Sequence, residues 1–342
     1  MNGEYFALYA NVFLVEGAVE NILVDTHKHR YITIRKTISA LIKNDLKKAT
    51  MGEVLKKYPN WAKGVKAYTG YLIEEDFAFL TKEPHKFPEM DLAYKRPYDL
   101  DTAIVVVNFG STIDYPSFME AVLNVNIQNL LLIFKSVPEL CFEAIDALIS
   151  GFKQSSLVAI QLYFERPELN GEALEKLTSD LRVSVKEFGS PATAILEDDP
   201  DRDGLVGRPT IRKTSQVLQL EALQEYGPEH MNLSLSHFIE AQKHVTGLNA
   251  KFCIDANGNI KNELRHPTIF GNVSSDSIVE VVASANFQTK WQVANDLVEK
   301  CKDCQFRYSC YSNSDLKKVG NQWYKVEACT FNPYKNQWER VE

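Results

Sequence analysis

The chain has 342 residues, of which 45% are hydrophobic and 24% are charged, and its formal net charge is −7 at pH 7. This is the composition of a globular protein with enough apolar side chains for about two or three structural units. The negative net charge argues against sequence-independent binding to nucleic acid, which requires clustered Lys and Arg.

The N-terminus shows no targeting segment. It lacks the basic start and the apolar stretch of a signal peptide. No window of the sequence reaches the roughly 18 consecutive apolar residues of a membrane helix. We therefore expect a cytoplasmic protein with neither nucleic acid nor membrane as a partner. In that reducing compartment the six cysteines are predicted to be metal ligands or buried thiols rather than disulfides.

Residues 1–82 have the pattern of a small separate module. Strand candidates rich in aromatic and β-branched side chains are residues 5–15, 21–24 and 31–34. Helical periodicity follows in residues 36–46, in residues 52–58 after a potential N-cap at Thr50, and in residues 65–80. Strands followed by short helices predict a winged-helix arrangement. Residues 83–101 are rich in proline and are predicted to be a linker.

Residues 102–245 alternate between strand and helix patterns. Apolar runs that suit buried strands are residues 103–107, 130–134 and 158–164, and helical segments are residues 115–123, 138–152 and 171–188. Repeated strand–helix units imply parallel pairing with right-handed crossovers. We therefore predict an α/β protein that contains an incomplete β/α barrel, because the clear strands are too few to close eight.

A charged loop lies within this region. Asp199, Asp201, Asp203 and Gly204 match the opening of a calcium-binding EF-hand loop. The twelfth position of such a loop should carry an acid that grips the ion with both oxygens, and here it is Thr210. We interpret the loop as a solvated acidic segment.

Residues 246–342 are rich in Asn, aromatic residues and cysteine. An Asn257–Gly258 turn predicts a hairpin over residues 252–261, and residues 277–283 are predicted to be a short helix. Cys253 and the more distant Cys141 sit in apolar patterns and are predicted to be buried thiols. Glu263 and His266 follow the hairpin, and either side chain is chemically able to bind a metal. The simpler interpretation is that Glu263 is solvated and that His266 is a loop histidine hydrogen-bonded to the backbone.

Four cysteines are concentrated near the C-terminus. The spacing is Cys301-x2-Cys304-x5-Cys310, followed by eighteen residues and Cys329. Thiolates are soft ligands that suit zinc or iron–sulfur clusters, and the first pair places two sulfurs on one tight turn. A zinc ribbon more often has two C-x2-C pairs. Spacing alone leaves an iron–sulfur cluster, zinc, or four structural thiols without a metal as alternatives, with one [4Fe–4S] cluster as the first choice.

The C-terminal region resembles the SPASM domain, a cysteine-rich extension of many radical-SAM peptide-modifying enzymes. The residues that carry the resemblance are 254–262, 270–273 and 301–310. A SPASM domain normally holds two auxiliary [4Fe–4S] clusters, and the resemblance assigns Cys301, Cys304, Cys310 and Cys329 to the second one. Two cysteine positions of the first cluster are occupied by Glu263 and Ser314. One cluster is therefore expected instead of two.

The radical-SAM motif is missing from the sequence. The family places C-x3-C-x2-C just after the first barrel strand, whereas residues 108–115 contain no cysteine. The glycine-rich motif that binds S-adenosylmethionine is also absent near residues 135–138. We therefore expect neither S-adenosylmethionine binding nor radical-SAM activity.

One known family combines these features: the chain resembles the SPASM-domain peptide maturases of grasp-with-spasm systems, which also encode an ATP-grasp ligase and a short precursor peptide. Further matching segments are residues 5–13, 86–90 and 331–334. The resemblance implies that the N-terminal module binds the leader of the precursor peptide as an extra strand. The candidate residues for that sheet, which could equally fill the core of the module, are Tyr5, Phe6, Tyr9, Phe13 and Val15.

Three functional hypotheses follow. The first is an accessory protein without independent catalytic activity, which binds the precursor peptide, the ATP-grasp ligase or both, and carries one structural cluster. The second is an iron–sulfur redox enzyme that acts on a peptide. The third is a zinc-stabilised scaffold with no peptide role. The sequence shows no hydrolase triad, Walker loop or G-x-G-x-x-G motif to favour another class of enzyme.

Overall fold

A computed structural model describes residues 3–96, 98–108, 115–135, 142–152, 155–165, 171–180, 182–189, 211–214, 218, 227, 231–327 and 329–339. The chain divides into two compact units. The terminal unit consists of Met1–Lys95, Gln224–Gly247 and Gln292–Glu342, and the central unit consists of Arg96–Leu223 and Leu248–Trp291. The segment 246–342, predicted as one domain, contributes residues to both units.

The N-terminal part of the terminal unit begins with four strands, which are β1 (Tyr5–Leu8), β2 (Val12–Val15), β3 (Asn21–Asp25) and β4 (Arg30–Ile34). It continues with α1 (Lys36–Leu41), a π-helical turn (Ile42–Leu46), α2 (Met51–Lys57), α3 (Ala62–Glu74) and β5 (Ala78–Thr81). Strands β2, β3 and β4 form an antiparallel three-stranded sheet in that order, and β1 pairs with β5. Strands followed by short helices agree with the predicted order of elements.

Strand β3 is buried on both faces, because all five of its residues are buried. Successive side chains of a strand point to opposite faces. Leu23 belongs to an apolar cluster with residues of the helices, including Leu72 of α3. Ile22 and Val24 belong to a second cluster that contains Phe306 and other residues of the C-terminal segment. The sheet therefore lies between the helices on one side and the cysteine-rich segment on the other.

The central unit contains a strand–helix series. Its elements are β6 (Thr102–Val107), α4 (Tyr115–Asn124), β7 (Asn129–Phe134), α5 (Phe142–Ser150), β8 (Ala159–Glu165), α6 (Gly171–Leu177), β9 (Val183–Phe188) and β10 (Ile211–Thr214). After α7 (Leu235–Ala241), which belongs to the terminal unit, come β11 (Lys251–Ile254), β12 (Asn259–Lys261), β13 (Gly271–Asn272), α8 (Ile278–Ala283) and α9 (Ala285–Gln288).

These strands build an eight-stranded sheet in the order β10-β9-β8-β7-β6-β11-β12-β13. Pairing is parallel from β10 to β11, and β12 and β13 add an antiparallel edge. The predicted hairpin turns at Gly258, whose φ of 81° favours glycine. The described strands form an open sheet, so no closed barrel is present in this part of the chain.

Two helix predictions are wrong in their extent. The helix predicted over residues 65–80 ends at Glu74, and β5 follows and pairs with β1. The helix predicted over residues 171–188 ends at Leu177, and β9 follows. Val183, Val185 and Glu187 of β9 are buried in alternation, which is the period of a strand. Parallel pairing with β8 outweighs the local helical pattern there.

Some predictions fall outside the described residues, namely those for Cys141 and for the acidic loop at residues 198–204. Among the helices that the structure describes, none is both long and apolar enough to cross a membrane.

A capping box fixes the start of α2. The Thr50 side chain accepts a hydrogen bond from the Glu53 amide, and the Glu53 carboxylate accepts one from the Thr50 amide at 2.8 Å.

We predict that Thr50→Ala destabilises α2 by about 1 kcal/mol, which would accelerate amide exchange in α2 about fivefold. The control is Thr37→Ala, which replaces an exposed residue inside α1. Equal exchange in both variants would contradict the capping role.

Candidate metal centre

The C-terminal segment of the terminal unit has little regular structure. Its strands form two short hairpins. Strand β14 (Leu316–Val319) pairs with β15 (Gln322–Lys325), and β16 (Phe331–Asn332) pairs with β17 (Gln337–Trp338). Single-turn 3-10 helices lie at Asn295–Leu297 and Cys301–Asp303. The four cysteines are distributed over this irregular backbone, so side-chain packing and ligand binding must supply much of its order.

Tight turns place the first three cysteines. Lys300 adopts a left-handed φ of 66°, and the Cys304 amide donates to the Cys301 carbonyl at 2.9 Å. The Phe306 amide donates to the Cys304 sulfur at 3.3 Å. Cys310 forms an antiparallel bridge with Met231. Cys329, two residues before β16, completes the group from a separate stretch of backbone.

All four cysteines line one cavity with about 340 Å³ of empty space, including its solvent-open part. Each of them is partly buried. The remaining lining residues are Asn295, Lys300, Arg307, Lys325, Phe331 and Pro333. The sequence spacing thus brings together the four residues that we predicted as ligands.

Three cations accompany the thiols. The Lys325 ammonium lies 4.0 Å from the Cys310 sulfur, and the Lys300 ammonium donates to the Cys329 carbonyl at 3.1 Å. The Arg307 guanidinium donates to the Cys304 carbonyl at 3.0 Å. Positive charges beside a sulfur site stabilise thiolates and an anionic thiolate-bound centre. In the sequence, the only feature that pointed to these three cations was the presence of Lys and Arg residues close to the cysteines.

Burial favours the neutral thiols when no metal is bound. It raises the pKa of Cys304, and the neighbouring cysteines raise it further. Burial also raises the pKa of Cys310, and Lys325 partly opposes that effect. Binding a metal therefore releases protons from these two thiols, and lower pH weakens it.

The donor set fits a metal centre with soft ligands. Four sulfurs around one cavity, an amide N–H donated to a sulfur and nearby cations are features of protein-bound iron–sulfur clusters. Among the described residues, no three His, Cys, Asp or Glu side chains are grouped so that they could hold a single ion.

The other candidate residues lie elsewhere, in the central unit. Cys253 is fully buried, its sulfur lies 3.7 Å from the Asn262 carbonyl oxygen, and burial raises its pKa. The Glu263 carboxylate accepts a hydrogen bond from the Lys251 ammonium at 2.6 Å, with both side chains buried. His266 is buried as well. The interpretation of Glu263 as a solvated residue is therefore wrong, because Glu263 forms a buried ion pair.

Ser314, the second position where the first auxiliary cluster would need cysteine, is also satisfied by protein groups. Its hydroxyl donates to the Glu327 carboxylate and accepts from the Glu327 amide at 3.1 Å. Ser314 is completely buried in the terminal unit, and Glu263 lies in the central unit.

One residue near the cysteines escaped the sequence analysis. His237 of α7 is 5% exposed and donates a hydrogen bond to the Cys310 carbonyl. Burial lowers its pKa to about 4, so the imidazole is neutral at pH 7. No sequence signal pointed to His237, because α7 lies far from Cys301 in the sequence and is separated from it by elements of the central unit.

Comparisons with known proteins give weak likenesses. No family model matches the chain, and no curated protein matches it. The solved structures that it is similar to include SuiB of Streptococcus suis, with 11% sequence identity, a TM-score of 0.40, and coverage of 89% of this chain and 94% of SuiB. SuiB bound to its precursor peptide SuiA gives 10% identity, a TM-score of 0.40, and coverage of 90% and 94%. SuiB bound to S-adenosylmethionine gives 9% identity, a TM-score of 0.29, and the same coverage.

Proposed function

We propose that this protein is an accessory protein of peptide maturation. In this proposal its terminal unit binds the leader of a precursor peptide along β4, and its four C-terminal cysteines hold one structural [4Fe–4S] cluster. The observation that carries the proposal is that β4 is the end strand of a three-stranded sheet. An end strand presents unpaired backbone N–H and C=O groups that can pair with an added strand.

The side chains of β4 support this edge as the binding site. Ile34 faces the helical core and is buried, whereas Tyr31 and Thr33 are exposed. Tyr31 is 37% exposed although its ring is partly packed against Phe306 at 5.2 Å. A peptide paired with β4 would therefore have the aromatic face of Tyr31 beside it.

The C-terminal end of helix α3 lies beside the start of β4. The Arg30 guanidinium of β4 donates to the Glu75 carbonyl at the end of α3. The rings of Tyr68 and Tyr71 on α3 are 6.1 Å apart in a T-shaped arrangement, and Tyr71 is 44% exposed. Exposed tyrosines favour peptide binding because they add contact area and a hydroxyl at a low entropic cost.

The other end strand, β2, has no exposed residue, whereas β4 has two. Phe13 of β2 stacks on Phe238 of α7, with ring centroids 4.5 Å apart. Both rings belong to the apolar cluster that also includes Phe306 and Phe331. Of the two end strands, β4 is therefore the better site for an added strand.

The proposed cluster is structural. Four cysteine ligands occupy one position on each iron, so no iron is left with an open position for substrate. Zinc held by the same four thiolates at about 2.3 Å is the alternative. All four cysteines line one cavity, which is the arrangement that either centre requires. Without residues for a second, SAM-cleaving cluster, the chemistry of maturation would fall to the ATP-grasp ligase as a partner.

An iron–sulfur redox enzyme acting on a peptide is the second candidate. It is favoured by the cations Lys300, Arg307 and Lys325 around the cavity, because nearby positive charge stabilises a reduced cluster. Product formation from the precursor with a reductant, but without the ligase, would support this candidate over the accessory role.

We predict that anaerobically purified protein contains about four irons and four sulfides per chain, the composition of one [4Fe–4S] cluster. Cys310→Ser should lose most of this iron, because Cys310 supplies one of the four thiols of the cavity. The matched control is Cys253→Ala, which removes a thiol of the central unit and should leave the iron content unchanged. Stoichiometric zinc without sulfide would contradict the cluster.

We predict that Tyr71→Glu weakens binding of the precursor peptide about tenfold or more, because it removes an exposed aromatic contact of about 1–2 kcal/mol and adds a charge. The measurement is fluorescence anisotropy with the labelled precursor peptide. The matched control is Tyr324→Glu on β15, since Tyr324 is 41% exposed and Tyr71 is 44% exposed. The absence of any binding to the unaltered protein would refute the peptide-binding role itself.

A further inference from the structure

We propose that metal loading of the cysteine site and peptide binding at β4 are thermodynamically coupled. The physical link is the cysteine loop, defined as residues 301–310, which carries three of the four ligands and packs against the β2–β3 loop and against Tyr31 of β4. The inference rests on the proposed function and adds its regulation: the protein with its metal binds the leader peptide more tightly than the protein without it.

One backbone hydrogen bond and one side-chain hydrogen bond join the cysteine loop to the β2–β3 loop, residues 16–20. The Ala18 amide donates to the Asp303 carbonyl at 2.8 Å. The Arg307 guanidinium donates to the Glu16 carbonyl, so the contact is made on both sides of Cys304. These two bonds connect the loop that enters β3 with the turn that carries Cys301 and Cys304.

Close packing reinforces this junction. A Cβ atom added at Gly17 would lie 2.6 Å from the Gln305 side-chain oxygen and 2.4 Å from the Glu20 carbonyl. The Gln305 amide group donates to Asn336 at 2.5 Å, and the Asn336 amide group donates to the Glu20 carboxylate at 2.6 Å. The β2–β3 loop is thus held between the cysteine loop and the turn before β17.

An apolar contact extends the junction to the peptide-binding edge. The Phe306 ring, two residues after Cys304, makes an edge contact with Tyr31 at 5.2 Å and 73°. Phe306 also contacts Phe331, two residues after Cys329, at 5.0 Å. The Phe306 ring therefore contacts both Tyr31 and Phe331, and each of the two phenylalanines lies two residues after a cysteine ligand.

The cysteine loop has little order of its own. The only regular element that the structure describes within residues 301–310 is the 3-10 turn Cys301–Asp303. A metal that binds three cysteines of this loop and Cys329 supplies the missing constraints, as metal binding does in small metal-dependent folds. Without the metal, the cysteine loop would be mobile, and its packing against the second face of the sheet would loosen. Peptide binding would then have to order β4 as well as the peptide, which raises the entropic cost of binding.

The coupling must be reciprocal. If the metal strengthens peptide binding by some factor, the peptide strengthens metal binding by the same factor. A bound peptide that orders β4 should also order the cysteine loop that packs against it, so its effect on iron loss can be measured on the metal-loaded protein alone, even if removal of the metal unfolds part of the terminal unit.

The experiment measures the affinity of the labelled precursor peptide for the metal-loaded protein and for protein stripped with a chelator. We expect the affinity to fall about 5- to 100-fold on stripping, the usual range of allosteric coupling. In parallel, a saturating amount of peptide should slow the release of iron to bathophenanthroline from the loaded protein. Equal affinities together with an unchanged release rate would overturn the coupling while leaving peptide binding intact. Absence of binding to the loaded protein would instead refute the proposed function.

One variant can weaken the coupling between the metal site and the peptide site without removing a metal ligand. Asn336→Ala removes the bridge between Gln305 and Glu20 without touching a cysteine. We expect it to retain the iron content and to reduce the affinity ratio between loaded and stripped protein. The matched control is Asn321→Ala in the exposed turn between β14 and β15, which should leave the ratio unchanged. A ratio that is the same in both variants would show that this bridge does not transmit the coupling.

Discussion

Burial of the second face of a small sheet is the constraint on which the terminal unit depends. The helices cover one face of β3, and Ile22 and Val24 on its other face would be exposed without the C-terminal segment. Each such side chain contributes about 1.5–3 kcal/mol when it is fully buried. The cysteine-rich segment is therefore part of the core of the N-terminal sheet, although the bonded residues Glu16 and Arg307 are 291 positions apart in sequence.

This packing also distinguishes the side chains of the two end strands. Covering the second face brings Phe238 onto Phe13 of β2, while β4 keeps exposed side chains along its edge. The C-terminal segment that contributes to this packing also carries the four cysteines, so the proposed metal centre and β4 share one packed region of the terminal unit. In our proposal, a structural metal centre in that position acts on peptide binding through packing alone and requires no chemistry at the metal.

Local signals in the sequence were enough to predict much of this structure. Runs rich in β-branched and aromatic side chains predicted β3 and β4, the Asn257–Gly258 turn predicted the β11–β12 hairpin, and the cysteine spacing grouped four thiols that line one cavity. Predictions failed where pairing between distant strands decides the conformation, as in β5 and β9. No local pattern encodes the contact of Phe306 with Tyr31 or the place of His237, because both arise only when distant segments pack together.

The central claim is that a leader peptide adds a strand to β4. Amide hydrogen exchange of the metal-loaded protein, with and without the precursor peptide, tests it most directly. The account predicts slower exchange in Arg30–Ile34 when the peptide is bound and unchanged exchange in Leu316–Val319, which belongs to a hairpin away from the proposed site. Unchanged exchange in Arg30–Ile34 at saturating peptide would contradict the account.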